Sequence, residues 1–358
     1  MIIIDDKKVA ISSFTELKDV LEEYNSYNYI FLMNDIIITE DIFIEDFKEK
    51  VTIDGTYQNI EATLIVNNNT ITVGAKTEKV TFKNIKIICS NQSGLIYAPA
   101  EEYYENTLVT FDNIIFNGTS LATIEYSNFK ILDSIITIEE TESITPTVVA
   151  KANHVYIGGN TTIDSSGTQI FLYNAALENP CFHIITSENQ ELMNGTNKLD
   201  FKVMHDANFF LTTTNEFALT PTNGWKDVLI DDGATFEFIE NKHQRIPMWA
   251  IFGTLTLNED SNLLFMNTYD STPNDNYNIL FRSYDCKLIL NNPESFIIYT
   301  KNSNVIYALT DMPFELNFTR LNLWNNSANV STACSLDNPP DYSFYKLKIW
   351  FCSAWFKC

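Results

Sequence analysis

The sequence predicts an all-β chain: a right-handed single-stranded parallel β-helix, a solenoid, with one short N-terminal capping α-helix. Three observations carry this. Apolar, β-branched bursts of three to five residues recur from Tyr29 onward, separated by Asn, Asp, Gly, Ser and Thr, and are too short for helices. One burst repeats: Val80-Thr81-Phe82-Lys83-Asn84-Ile85 returns as Val109-Thr110-Phe111-Asp112-Asn113-Ile114, 29 residues on (109 minus 80). That offset falls within the roughly 20–50-residue period of solenoids. Helical periodicity is confined to the first few turns of chain, as expected where each coil buries its apolar face against the next.

Composition narrows the class further. With 45% hydrophobic and 13% aromatic residues, the 358-residue chain is too apolar for disorder and long enough to bury a core. Its 46 acidic against 23 basic residues give a formal charge of -23. Such a field repels nucleic acid and anionic lipid, both of which need cationic side chains to neutralise phosphates. No stretch approaches the roughly 20 apolar residues of a membrane span. Met1 to Asp6 offers three isoleucines before two aspartates, with no basic n-region, so no secretory leader is recognised. The expected location is extracellular or on a particle surface, reached without a recognisable signal peptide.

Residues 1–28 are expected to form an N-terminal cap. Ser13-Phe14-Thr15-Glu16 reads as a capping box, in which hydroxyl and carboxylate satisfy orphan amides of the first turn. Phe14, Leu17, Val20, Leu21 and Tyr24 then share one face, and the helix should end near Tyr24-Asn25-Ser26. Its stripe has an obvious use in covering the first coil edge. The β-helix is expected over 29–338. Its clearest bursts include Ile36 to Thr39, Thr63 to Val66, Phe129 to Leu132, Thr235 to Ile239, Thr254 to Leu257 and Phe296 to Tyr299. Each repeat copy places two strands either side of one Asn, which tolerates the left-handed backbone of a sharp bend. Stacked on successive coils, Asn84 and Asn113 can form an amide ladder. A β-sandwich is the competing architecture, with Asn117-Gly118, Asn194-Gly195 and Asn223-Gly224 as its hairpin signals. After Asn338-Pro339-Pro340 comes a basic, aromatic, Cys-containing tail or cap, 339–358, in which Tyr345, Leu347, Ile349 and Phe351 alternate with Lys346, Lys348 and Trp350.

At Val51-Thr52-Ile53-Asp54-Gly55 and at both copies of the repeat the chain resembles the pectate lyase-like adhesive domains of Gram-positive surface proteins. The opening helix, the strand from Tyr29, Asp232 to Phe238 and Asn292 to Tyr299 are similar too, and the resemblance covers roughly Ser12 to Ala308. It implies a right-handed parallel β-helix used for display or attachment, with lyase chemistry lost.

A lyase needs carboxylates to hold Ca2+ and a basic residue, commonly Arg, to take a proton; the only arginines are Arg245, Arg282 and Arg320, none in an Asp/Arg cluster. A hydrolase needs paired carboxylates. Asp231-Asp232 is the best pair, yet it precedes Gly233 in a turn-like setting, as Asp54 precedes Gly55. His154, His183, His205 and His243 are far apart and show no metal-ligand spacing. Cys89, Cys181 and Cys286 sit in or beside apolar runs and read as core thiols. Cys334, Cys352 and Cys358 crowd the C-terminus, where intermolecular disulfides are the open alternative. No catalytic, cofactor or metal residue is therefore assigned, and no cofactor is expected.

Three functions remain in contention. The first is a non-catalytic adhesive module binding a glycan or protein, with 17 Tyr and 5 Trp as flat contact surfaces. The second is a structural subunit of an extracellular assembly (a spore surface layer, a filament or a phage tail fibre), alone or as a homo-oligomer. The third is a polysaccharide lyase or hydrolase.

Overall fold

The computed structural model describes residues 1–99, 104–139, 149–165, 171–172, 181–185, 200–213, 224–240, 249–267, 277–281, 283, 285–300, 304–308, 314–323 and 342–351. The fold is a parallel β-helix, and its strands fall into two compact units, Met1–Cys181 and Phe182–Cys358.

In the first unit each coil after the first contributes a strand to each of three ladders. The first ladder runs Lys8–Ile11, Tyr29–Leu32, Lys50–Asp54, Lys79–Lys83, Leu108–Asp112, 128–132 and 154–158, every neighbour parallel. The second runs Ile36–Ile38, Thr63–Val66, Lys86–Cys89, Ile115–Gly118, Ile135–Ile138 and Thr162–Ser165. The third is short: Ile42–Phe43, Ile71–Thr72, Ile96–Tyr97, 122–124, 150–152 and Phe171–Leu172.

Val80 lies opposite Val109 and Phe82 opposite Phe111, so the 29-residue repeat is one coil. Like side chains pile up inside as a result. Val51, Val80, Val109, Phe129 and Val155 form one buried column; Ile53, Phe82, Phe111, Ile131 and Ile157 form the next. The rings of Phe82 and Phe111 stack 5.3 Å apart at 13°. Each such side chain contributes about 1.5–3 kcal/mol on burial.

The bend after the first ladder needs a left-handed residue on most coils. Gly55, Asn84, Asn113, Asp133 and Gly159 stack there, and the middle three have φ of 48°, 53° and 47°. Asn and Asp adopt that conformation at little cost because their side chains bond locally. Asn113 Nδ2 donates to Asn84 Oδ1 at 2.8 Å, and Asn84 Nδ2 to Asp54 Oδ1 at 3.2 Å, which is the expected amide ladder. Gly55 is required by closeness: a Cβ there would lie 2.5 Å from the Asn84 carbonyl oxygen.

The hairpin reading of Asn117-Gly118 is corrected. Both residues lie inside a parallel strand, and Gly118 is needed because a Cβ would meet the Cys89 carbonyl oxygen at 1.8 Å. Asn194-Gly195 and Asn223 fall outside the described residues.

The helix spans Phe14–Glu22, shorter than expected, and buries Leu17, Val20 and Leu21 while Phe14 stays half-buried. Tyr24 lies beyond it, 89% exposed, and is not part of its apolar face. Ser13 Oγ caps the Glu16 amide at 3.3 Å, but the reciprocal contact reaches one residue further back, Glu16 Oε2 accepting from the Ser12 amide at 2.7 Å. The helix lies against Ile36–Ile38 and Ile42–Phe43, the end strands of the second and third ladders. There it satisfies edge amides: Phe43 N–H donates to Glu22 Oε1 at 3.0 Å and Glu45 N–H to the Leu21 carbonyl at 3.3 Å. The first ladder's edge is covered differently, by Ile2–Ile3 lying antiparallel on Lys8–Ile11.

Lys48 closes the cap from below. It is 3% exposed, and its ammonium donates to the Asn25 and Tyr27 carbonyl oxygens and to Asn25 Oδ1. Burial, with a smaller contribution from Lys7, pulls its pKa from 10.5 down to about 8.

The second unit repeats the plan. Its ladders are Asp200–Val203, Asp227–Ile230, Thr254–Leu257, Lys287–Asn291 and 314–317; Asn208–Thr213, Thr235–Glu240, Asn262–Asn267 and Ser295–Thr300; and Trp249–Ile251, Tyr277–Phe281 and Asn304–Ala308. Asp206, Gly233, Asp260 and Asn292 supply the left-handed bend, with φ of 58°, 66°, 56° and 52°. Phe201, Phe236 and Phe265 fill the interior. Tyr342–Phe351 lies antiparallel on Phe314–Leu323, turning an open parallel edge into a closed pair.

Two expected outcomes test these contacts. Asn84→Ala loses two ladder bonds and must hold Ala in a left-handed bend, so urea unfolding should show a loss of about 2–3 kcal/mol, against about 1 for Asn84→Gly. For Lys48 the sign runs toward alkali. The folded state releases this proton near pH 8 and the unfolded state near 10.5, so between them the unfolded chain holds more protons and stability rises with pH. That rise, up to about 3 kcal/mol, should be present in the native chain and missing from Lys48→Met.

Candidate binding surface

The carboxylates singled out by sequence are occupied in building the coil. Asp54 is 4% exposed and accepts from Tyr29 Oη at 2.6 Å, the Thr56 amide at 3.0 Å and Asn84 Nδ2 at 3.2 Å. Burial and the Asp54 carboxylate push the Tyr29 phenol well above its ordinary range. Asp231 Oδ1 accepts from Asn258 Nδ2 at 2.9 Å and Asp232 Oδ1 from the Glu259 amide at 3.2 Å, both one coil on. Such bonds tie one coil to the next.

Among the described side chains, His154 and His205 each have a separate partner. His154 Nδ1 faces Asn128 Oδ1 at 2.8 Å, and the exposed His205 Nε2 lies 3.1 Å from Asp206 Oδ2. Among the described residues no group of three or more His, Cys, Asp or Glu is placed to hold a metal ion. His243, Arg245 and Arg282 lie outside the described residues, as do the side chains of His183 and Arg320. Cys89 and Cys286 are buried, as expected for core cysteines, and burial pushes Cys89 up to about 11. The Cys181 side chain and Cys334, Cys352 and Cys358 lie outside the described residues.

What sequence reading missed is a lysine strip. The outer face of the first ladder in Met1–Cys181 carries Lys8, Lys50, Lys79, Lys83 and Lys130, five of the chain's 20 lysines, against Asp54 and Asp112. Register makes the strip. Lys50 is opposite Lys79, and Thr52, Thr81, Thr110 and Lys130 form the adjoining outward column. Three lysines have partners, Lys8 with Asp5 at 3.8 Å, Lys50 with Glu78 at 3.6 Å and Lys83 with Asp112 at 3.4 Å. Lys79 is exposed, whereas Lys130 is 5% exposed, and burial and Lys79 lower its pKa. The column between the lysines is also sunk: Thr81 is 9% and Thr110 5% exposed although both point away from the core. A recessed hydroxyl column flanked by ammonium groups suits an extended partner bearing carboxylates.

Residues 8–123 match a known family. Its description is "Putative pectate lyase-like adhesive domain", and the match takes in five strands of the lysine-bearing ladder. It falls in the first part of the segment where the resemblance was read. Two solved structures are similar to this chain, and the first shares the fold. The L. reuters 100-23 SRRP has a TM-score of 0.50 at 12% identity, with 87% of this chain and 96% of that one covered. The L. reuteri 53608 SRRP has a TM-score of 0.35 at 11% identity, with 85% and 98% covered. A search of curated proteins gave no match. Among the described residues no helix is long and apolar enough to cross a membrane.

The Asp54 contacts yield a directional prediction. Asp54→Ala should cost about 2–4 kcal/mol in chemical unfolding by orphaning a tyrosine, an amide and the Asn ladder. It should also return the Tyr29 phenol toward its ordinary range in ultraviolet titration.

Proposed function

We propose that this chain is a non-catalytic adhesive module displayed at a cell or particle surface, and that the lysine strip of the first ladder holds its partner. The strip itself carries the reading. In a chain of net charge -23, five lysines on one ladder against two aspartates form a local patch of the opposite sign. The strip repels cationic surfaces and favours a carboxylated glycan or acidic protein, while the surrounding negative field repels such a partner from the rest of the chain and so confines it to the strip. The adhesive-domain match over residues 8–123 supports attachment as the role. The non-catalytic part is supported by Asp54, Asp231 and Asp232, whose oxygens hold neighbouring coils rather than face a common point.

Polygalacturonate and uncharged dextran, immobilised side by side, test this. The native chain should bind the first, weaken as salt rises, and lose at least about tenfold in affinity in the Lys50→Glu/Lys79→Glu variant. Ultraviolet absorbance of unsaturated product, with and without Ca2+, should stay flat. Accumulating product would overturn the non-catalytic reading, and binding indifferent to the two lysines would overturn the site.

A further inference from the structure

A different face of the same unit has no part in that reading. The second ladder turns a diagonal of isoleucines outward: Ile37 is 49% exposed, Ile88 40%, and Ile115 and Ile135 53% each, with Ile65 half-buried between Ile37 and Ile88. Ile115 lies directly opposite Ile135. Four such side chains expose on the order of 400 Å² of contiguous aliphatic surface, the size of the largest patch on an ordinary monomer. Pleat alternation explains why it exists, since Leu64, Ile87, Phe116 and Ile136 face the core. It does not explain why the outer positions are aliphatic in so acidic a chain.

We propose that this face associates with the same face of a second copy, side by side, through a two-fold axis lying along the strands between the coils of Ile115 and Ile135. Such an axis reverses coil order and preserves position along each strand. Ile115 of one copy then meets Ile135 of the other, twice. The neighbouring coils bring Lys86 over the strand Thr162–Ser165 of the second copy. There the exposed Asp164 lies two residues along, about 7 Å, within reach of a lysine side chain. Lys86 and Asp164 are the only charged residues on the outward positions of this ladder among the described residues, and the axis leaves them two residues apart along the strand, Asp164 lying over Ile88. Asp133 and Glu139 flank the overlap. The same operation sets Asp133 opposite Asn113 and Glu139 opposite Thr119, so no carboxylate meets another.

The contact is small. Four coils about 4.8 Å apart and four residues of about 3.3 Å give on the order of 250 Å² of flat overlap per copy, well under the roughly 800 Å² of a stable complex. Association is therefore weak in dilute solution and becomes appreciable where copies are crowded. Two bodies of net charge -23 also repel, so screening strengthens the contact. A cationic partner on the same face would show the reverse salt dependence.

Sedimentation velocity under reducing conditions, at about 0.5 mM protein in 20 mM and 500 mM NaCl, decides the matter. The native chain should be monomeric at low salt and shift measurably toward dimer at high salt. Ile115→Lys/Ile135→Lys should stay monomeric in both, with unchanged circular dichroism. Lys86→Glu should weaken the dimer several-fold, and Lys86→Glu/Asp164→Lys should restore it. A native chain monomeric at both salts, or an isoleucine variant that dimerises like the native chain, would overturn the proposal. The lysine strip is untouched by these substitutions, so polygalacturonate binding by the same variants separates failure here from failure of the adhesive reading.

Discussion

Every feature of this protein depends on one constraint: each coil must lie on the next in parallel register, so that equivalent positions repeat along a column. A parallel strand cannot bury its apolar face alone or satisfy its own backbone, and both problems are solved only by the coil above and the coil below. Valine meets valine and phenylalanine meets phenylalanine in the interior because of that register. The same rule makes the column at the bend costly to vary. Its residue must accept a positive φ on most coils, which favours Asn, Asp and Gly, and where it is Asn113 the side chain also hands a hydrogen bond to the neighbouring coil.

Register also creates the two surfaces. Lys50 and Lys79 are 29 residues apart in the chain and adjacent in space, as are Ile115 and Ile135 at a separation of 20. One face concentrates the minority charge of an acidic chain over a sunken row of threonines, and another concentrates aliphatic side chains almost free of charge. A solenoid gives both their flatness and their repeat without any specialised loop. Open strand edges are the liability, and among the described residues they are covered in the first unit by the helix over two ladders and the antiparallel pair at Ile2–Ile3, and in the second by the antiparallel strand Tyr342–Phe351.

Much of this was legible in the sequence, for physical reasons that also explain what was not. The repeat from Val80 and from Val109 was readable because adjacent coils of equal length carry the same residues at the same pleat positions. The second unit was not readable in this way. Asp206, Gly233, Asp260 and Asn292 serve one structural role with three residue types, so no two successive coils carry the same residue there. Gly118 was ambiguous because Asn-Gly marks a hairpin by backbone freedom, whereas here glycine answers a steric demand from Cys89 that only the neighbouring coil reveals. The lysine strip was invisible for a related reason. Its members follow coil offsets of 29 and then 20, and no single period in the chain brings them together.

In-register stacking is open to direct measurement with nitroxide labels at exposed cysteines, introduced after the C-terminal cysteines are changed to serine. Lys50 and Lys79 sit on adjacent coils, whereas Lys50 and Leu108 are separated by one intervening coil. Continuous-wave electron paramagnetic resonance of frozen samples should show strong dipolar broadening for labels at 50 and 79, and distinctly weaker broadening at 50 and 108. Equal broadening in the two pairs, or none at 50 and 79, would contradict parallel coils stacked in this register.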